Sequence, residues 1–316
     1  SGITIGSPTK GNTIVNCTNG IRSTLARNHT IQSNYIGTDE NGNTGLGNDS
    51  GISLSTAGPQ MIGGSTANQG NVISGNTTGI SANASGGLQV INNYIGTNSS
   101  NVTNIGNVTG IKLATSTSNQ VLDNIISGNS GSAIELSFSS NNTIQGNYIG
   151  VLDNGSTALS NNIGIEFFGS LSSSNNAIGG IGAGEANIIA NHTNQAIVLV
   201  DSDQLNNSII GNSMYCNGSG IDLNGVGNNN IQPPVINEVT TSTIGGTGVI
   251  GEAIHVYRDN SGCTPTLPQG QEYLGTATVD GSGNWQVTGV TITTGTDLIT
   301  ATASNGTDGT SVFTVQ

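Results

Sequence analysis

Over 316 residues the chain carries five Lys and Arg against eighteen Asp and Glu, a formal net charge of −13, with only 7% charged and 3% aromatic residues. That balance excludes a nucleic-acid surface, which needs clustered cations, and no stretch approaches the roughly 18 apolar residues of a membrane span. Rings this scarce cannot fill a broad globular core, but Ile, Val and Leu can fill a narrow one.

The chain opens in mid-pattern at Ser1-Gly2-Ile3-Thr4-Ile5, without a charged segment ahead of an apolar one, and reads as a mature or trimmed piece. Asn34-Tyr35-Ile36-Gly37-Thr38 then returns at Asn93–Thr97 and, without the Thr, at Asn147–Gly150. Between these copies a small residue precedes Ile at Ile21, Ile52, Ile80, Ile111, Ile134, Ile165, Ile197 and Ile221, in steps of 23 to 32 residues. A repeat of that length means stacked structural units.

Within each unit apolar residues alternate with small polar ones, and Asn and Gly fill the intervals, as at Asn71-Val72-Ile73-Ser74-Gly75-Asn76. Ile, Val and Thr suit strands, whereas Asn and Gly suit tight corners. The pattern predicts an all-β parallel solenoid of about eight coils, three short strands to a coil, over residues 1–231. Coils about 4.8 Å apart give a rod of roughly 40 Å. Equivalent corner Asn residues should form amide ladders along it.

The insertions at 38–49 and 97–108 should project as loops able to carry recognition. Asp39, Glu40 and Asp49 bracket the first, Asp153 lies in the corresponding later loop, and Asp201 with Asp203 marks another. Calcium is the structural ion expected there, although no EF-hand or RTX spacing is present. No cofactor is required by the pattern. His29, His192 and His255 lie in different elements and form no zinc set.

Strand residues beside an inward Ile face outward. Stacking the repeats on that Ile gives an outward column of Arg22, Ser53, Ser81, Lys112, Glu135, Glu166, Val198 and Asp222. Lys112, Glu135 and Glu166 fall on consecutive rungs, a concentration of charge in a chain that has little. A carboxylate pair about 5 Å apart suits a glycosidase nucleophile and acid. With Lys112 as base and a bound cation, the same column would suit a lyase. The plain alternative is a solvated ladder in which Lys112 neutralises Glu135. Phe168, Val198 and Val200 should face out beside it as an apolar contact patch, unless residues 171–184 cover them. Tyr35, Tyr94 and Tyr148 read as stacked structural side chains.

Three cysteines make no disulfide framework. Cys17, four residues before Ile21, and Cys216, four before Gly220, take similar places in their coils and read as small buried side chains. Cys263 stands apart, and a Cys216 pairing is disfavoured. The repeat stops at Ile231-Gln232-Pro233-Pro234, a stiff linker. Beyond it, alternation over 235–241, 249–250, 253–257, 273–279, 285–290, 298–303 and 312–315 predicts a seven-stranded β-sandwich across 232–316, with Trp285 as core anchor.

The Asn-Tyr-Ile-Gly-Thr and Asn-x-Ile-Ser-Gly-Asn coils, followed by Tyr273-Leu274-Gly275-Thr276-Ala277 through Leu298–Ala303, resemble bacterial secreted right-handed parallel β-helix repeat proteins with an Ig-like module. The resemblance covers nearly the whole chain. It implies an extracellular or cell-surface location and a large multidomain parent, but no defined reaction, because fold does not fix activity. The expected role is a non-catalytic structural or adhesive module that binds a surface glycan or protein, or associates with itself. The alternative is a carbohydrate-active enzyme using Glu135 and Glu166.

Overall fold

The computed structural model describes residues 2–98, 105–169, 172–263 and 267–314. Three parallel sheets of eight strands each wrap around one axis. Each coil contributes one strand to each sheet, as in Gln89–Ile91, Tyr94–Ile95 and Thr109–Ala114, so the rod has eight coils. The chain is a parallel β-helix, as the repeat predicts. Among the described residues, 3-10 turns at Ala67–Gln69 and Gly227–Asn230 are the helical segments, and no helix is long and apolar enough to cross a membrane.

The inward Ile columns fill the lumen. Ile52, Ile80, Ile111, Ile134, Ile165 and Ile197 stack rung on rung in the third sheet and are fully buried. Corner amides do the rest of the axial work. From Asn12 to Asn212 one ladder runs unbroken through Asn34, Asn71, Asn93, Asn124, Asn147 and Asn187, each Nδ2 donating to the next Oδ1 at 2.8–3.0 Å. A second ladder, Asn48–Asn76–Asn107–Asn129–Asn161, follows another corner. The ladder geometry explains the Asn content: a buried corner leaves backbone N–H and C=O groups that a short amide satisfies.

From Val235 onward the chain forms a three-stranded and a four-stranded antiparallel sheet. They share a second core that includes Ile244, Trp285, Val287, Ile254 and Ile299. Two expected strands move. Val249 and Ile250 are exposed turn residues, and Thr243–Thr247 is the strand instead, because Gly245 and Gly246 pair directly with Gln286 and Trp285. The last strand is Gly309–Thr310 rather than 312–315, and Val315 lies outside the described residues.

The second region covers the last coil. Tyr257 and Phe313 join the solenoid core, and the Tyr257 hydroxyl accepts a hydrogen bond from Gly211 N–H at 3.0 Å. Cys216 and Cys263 form a disulfide across this junction. Sequence reasoning disfavoured that pairing because spacing alone does not reveal that residues 47 apart meet at a domain contact. Cys17 is free and exposed rather than buried, because its coil position lies outside the lumen.

Candidate functional site

The third sheet has the longest strands, six residues in most coils, and so presents the widest flat surface. Its registers pair Arg22 with Ser53, Ser53 with Ser81, Ser81 with Lys112, Lys112 with Glu135, Glu135 with Glu166, Glu166 with Val198 and Val198 with Asp222. The outward column is therefore continuous. Parallel pairing fixes consecutive members about 4.8 Å apart at the backbone.

Two of its carboxylates are held differently. Lys112 Nζ makes an ion pair and hydrogen bond with Glu135 Oε1. Glu166 Oε2 instead accepts from the hydroxyl of Ser132, one coil earlier on the flanking column. Farther along, Asp222 Oδ2 accepts from Gln195 Nε2 at 3.2 Å. One carboxylate thus faces a cation, and its neighbour faces a neutral donor. Both are partly exposed.

The apolar patch is smaller than the alternation predicts. Phe168 is 52% exposed and Val200 is half-buried, but Val198 is only 5% exposed although it occupies an outward register position. Phe168 pairs with Ser137 on the column beside the carboxylates, so its ring borders them. Of the segment proposed to cover the patch, Leu171 lies outside the described residues.

The acidic loops do not converge. Asp39 Oδ1 accepts from the backbone N–H of Asn41 and Asn43, at 3.2 and 2.8 Å, and this turn holds its pKa below the ordinary carboxylate value. Glu40, Asp49 and Asp203 are exposed, and no group of three or more His, Cys, Asp or Glu side chains gathers among the described residues. Asp39, Glu40, Asp49, Asp201 and Asp203, the positions expected for calcium, are thus not drawn into one such group. Within the insertion at 97–108, residues 99–104 lie outside the described residues.

The tyrosines are arranged otherwise than the repeat implies. Tyr35, Tyr94 and Tyr148 do not stack on one another; Val72 separates the first two and Ile125 the second two. The signal was present in the sequence, since the Tyr-bearing phrase occurs in alternate coils.

No family model matches the chain, and no curated protein matches it. Solved structures with a similar fold include two mutants of the periplasmic alginate epimerase AlgG, at 17% and 16% identity, TM-scores 0.49 and 0.46, each covering 70% of this chain and 51% of that one. The enzymatically active domain of bacteriophage CBA120 tailspike protein 2 is similar at 13% identity and TM-score 0.29, over 88% of this chain and 54% of that one. The chain thus spans about half the length of these structures, and the likeness is one of fold. The expectation of a non-catalytic structural or adhesive module is corrected at this point. The similar solved proteins are described as an alginate epimerase and an enzymatically active tailspike domain, a description that belongs to those proteins.

Proposed function

We propose that the chain is a carbohydrate-active enzyme of the glycosidase type, whose site is the outward column on the third sheet. The observation that carries this reading is the contrast within the pair: Glu135 held by Lys112, and Glu166 on the next rung held by the Ser132 hydroxyl. Adjacent rungs suit a retaining mechanism, in which carboxyl groups stand about 5–5.5 Å apart. Glu135, with a cation to stabilise its charge, is the nucleophile that attacks the anomeric carbon. Glu166 gives its proton to the departing oxygen and then takes one from the water that releases the sugar. Phe168 offers one apolar face to the ring beside them.

Net charge selects the substrate class. At −13, with Lys112 already committed to Glu135, the surface repels a polyuronate and tolerates a neutral polysaccharide. The same reading takes 1–231 as the catalytic solenoid and 232–316 as an Ig-like module, in a secreted or surface-bound bacterial protein.

The test is incubation of the purified chain with neutral and acidic polysaccharides, following new reducing ends. Release from a neutral polymer that disappears in both Glu135→Gln and Glu166→Gln is the expected result. No release across the panel, or release unaffected by either substitution, overturns the assignment.

A further inference from the structure

The second sheet bears a separate surface that the charged column leaves unexplained. Its outward register runs Tyr35, Val72, Tyr94, Ile125, Tyr148, Ile188, a ring and an aliphatic residue on alternate rungs. Successive rings are therefore two rungs, about 10 Å, apart. Tyr94, Ile125 and Tyr148, with Asn92, Asn93 and Asp123 along one edge, line a hollow of about 200 Å³. A larger hollow of about 510 Å³ continues from Tyr94 over Val72 and Tyr35 toward Lys10. The two share Tyr94 as a lining residue and follow the tyrosine column along the rod as a trench in two parts.

The trench has walls as well as a floor. The turn at Gly42 packs near Tyr35 and Val72, and that at Gly155 lies over Tyr148 and Ile188, so loops rise on one side. On the other side stand corner residues Asn92 and Asp123, both at positive φ. Packing around Asp123 desolvates its carboxyl and raises its pKa, although the residue stands at an exposed rim, and no described side chain or backbone donor bonds to that carboxyl. Burial, and then the charge of Asp153, raise the Tyr94 hydroxyl. The site therefore combines aromatic side chains with a rim carboxylate that no described donor engages, a composition in keeping with a ligand cleft.

We infer that this trench binds an extended neutral polysaccharide, stacking one pyranose face on each tyrosine. The ring spacing matches the span of two β-1,4-linked pyranose residues, so every second sugar meets a tyrosine, with the buried Val72 and Ile125 only forming the floor between the rings. The Asp123 carboxylate lies at the rim where a sugar hydroxyl needs a partner, whereas the Asn93 amide is spent within the ladder and Asn92 Nδ2 on Gly64 O. An acidic polymer is disfavoured beside Asp123 and Asp153. This surface lies on a different sheet from Glu135 and Glu166 and would hold a polymer without cleaving it.

Isothermal titration with β-1,4-linked glucose, xylose and mannose hexasaccharides tests the inference. The Glu135→Gln/Glu166→Gln protein serves as parent, so that no bond is cut. At least one hexasaccharide should bind, and Tyr94→Ala/Tyr148→Ala should weaken it at least tenfold with unchanged circular dichroism. Tyr94→Leu, which keeps apolar bulk but removes the flat ring, should weaken it likewise should the alanine variant fail to fold. Absence of binding by all three sugars, or equal binding by parent and folded tyrosine variants, overturns the trench. Cleavage by the unsubstituted chain is read separately, so either proposal can fail alone.

Discussion

Gln269 completes an amide ladder that belongs to another part of the chain. Asn217 Nδ2 donates to Gln269 Oε1 at 2.8 Å, Asn217 N–H donates to the same oxygen at 3.2 Å, and Gln269 Nε2 returns a bond to Asn217 O at 3.0 Å. A solenoid end otherwise exposes such groups. Gln269→Leu should leave the Asn217 backbone N–H and carbonyl without partners and cost its Nδ2 one of two bonds, at about 1–3 kcal/mol for each stranded group. Urea unfolding monitored by far-ultraviolet circular dichroism measures this, and a loss below about 0.5 kcal/mol would show the cap to be dispensable.

A disulfide fixes the same junction. Cys216 and Cys263 enclose a sequence separation of 47, for which chain-entropy reasoning gives up to about 4 kcal/mol of stabilisation. Reduction, or Cys216→Ala/Cys263→Ala, should lower the unfolding midpoint. The antiparallel region should also gain hydrogen-exchange rate before the central coils do. Equal exchange in both regions would mean that the noncovalent cap suffices.

At one coil the second ladder is broken by a ring. Asn161 Nδ2 bonds to Ile126 O, and the next coil supplies His192 in place of an amide, its Nε2 without a partner. Burial lowers the His192 pKa from 6.5 to about 4, and that of His255 likewise to about 4. Between those values the unfolded chain takes up protons that the folded chain refuses. Stability is therefore complete above pH 6.5, falls as pH drops toward 4, and levels off below it, by at most about 3 kcal/mol per histidine. His192→Asn should restore the amide and remove about half of that slope. An unchanged slope in thermal melts between pH 7 and 4 would refute the assignment.

How much of this was legible in the sequence depends on what sets each feature. Ile positions and corner Asn residues repeat because every coil meets the same lumen, so eight coils and the column from Arg22 to Asp222 follow from spacing alone. Ser132 beside Glu166 does not, because that contact runs diagonally between columns. Val198 was expected in the open for the same reason: alternation gives a direction, and burial depends on neighbours that spacing does not rank. The Cys216–Cys263 bond and the Gln269 cap join elements with no common period, so no repeat announces them.

Under the proposed glycosidase reading, Lys112 would separate structural from chemical roles on the third sheet. Its ion pair with Glu135 is partly exposed, with 39% of the lysine side chain open, and pairs of that kind contribute about 0–1 kcal/mol. Lys112→Met keeps the aliphatic stem over the sheet and should leave the unfolding midpoint nearly unchanged. Its effect on turnover should be larger, because Glu135 would lose the cation that balances its charge as the nucleophile is regenerated. A fall in kcat of tenfold or more at near-constant stability is the expected pattern, with KM changed little, since Lys112 is spent on Glu135 rather than on sugar. A kcat unchanged in Lys112→Met would remove Lys112 from the chemistry and leave it a surface charge beside Glu135.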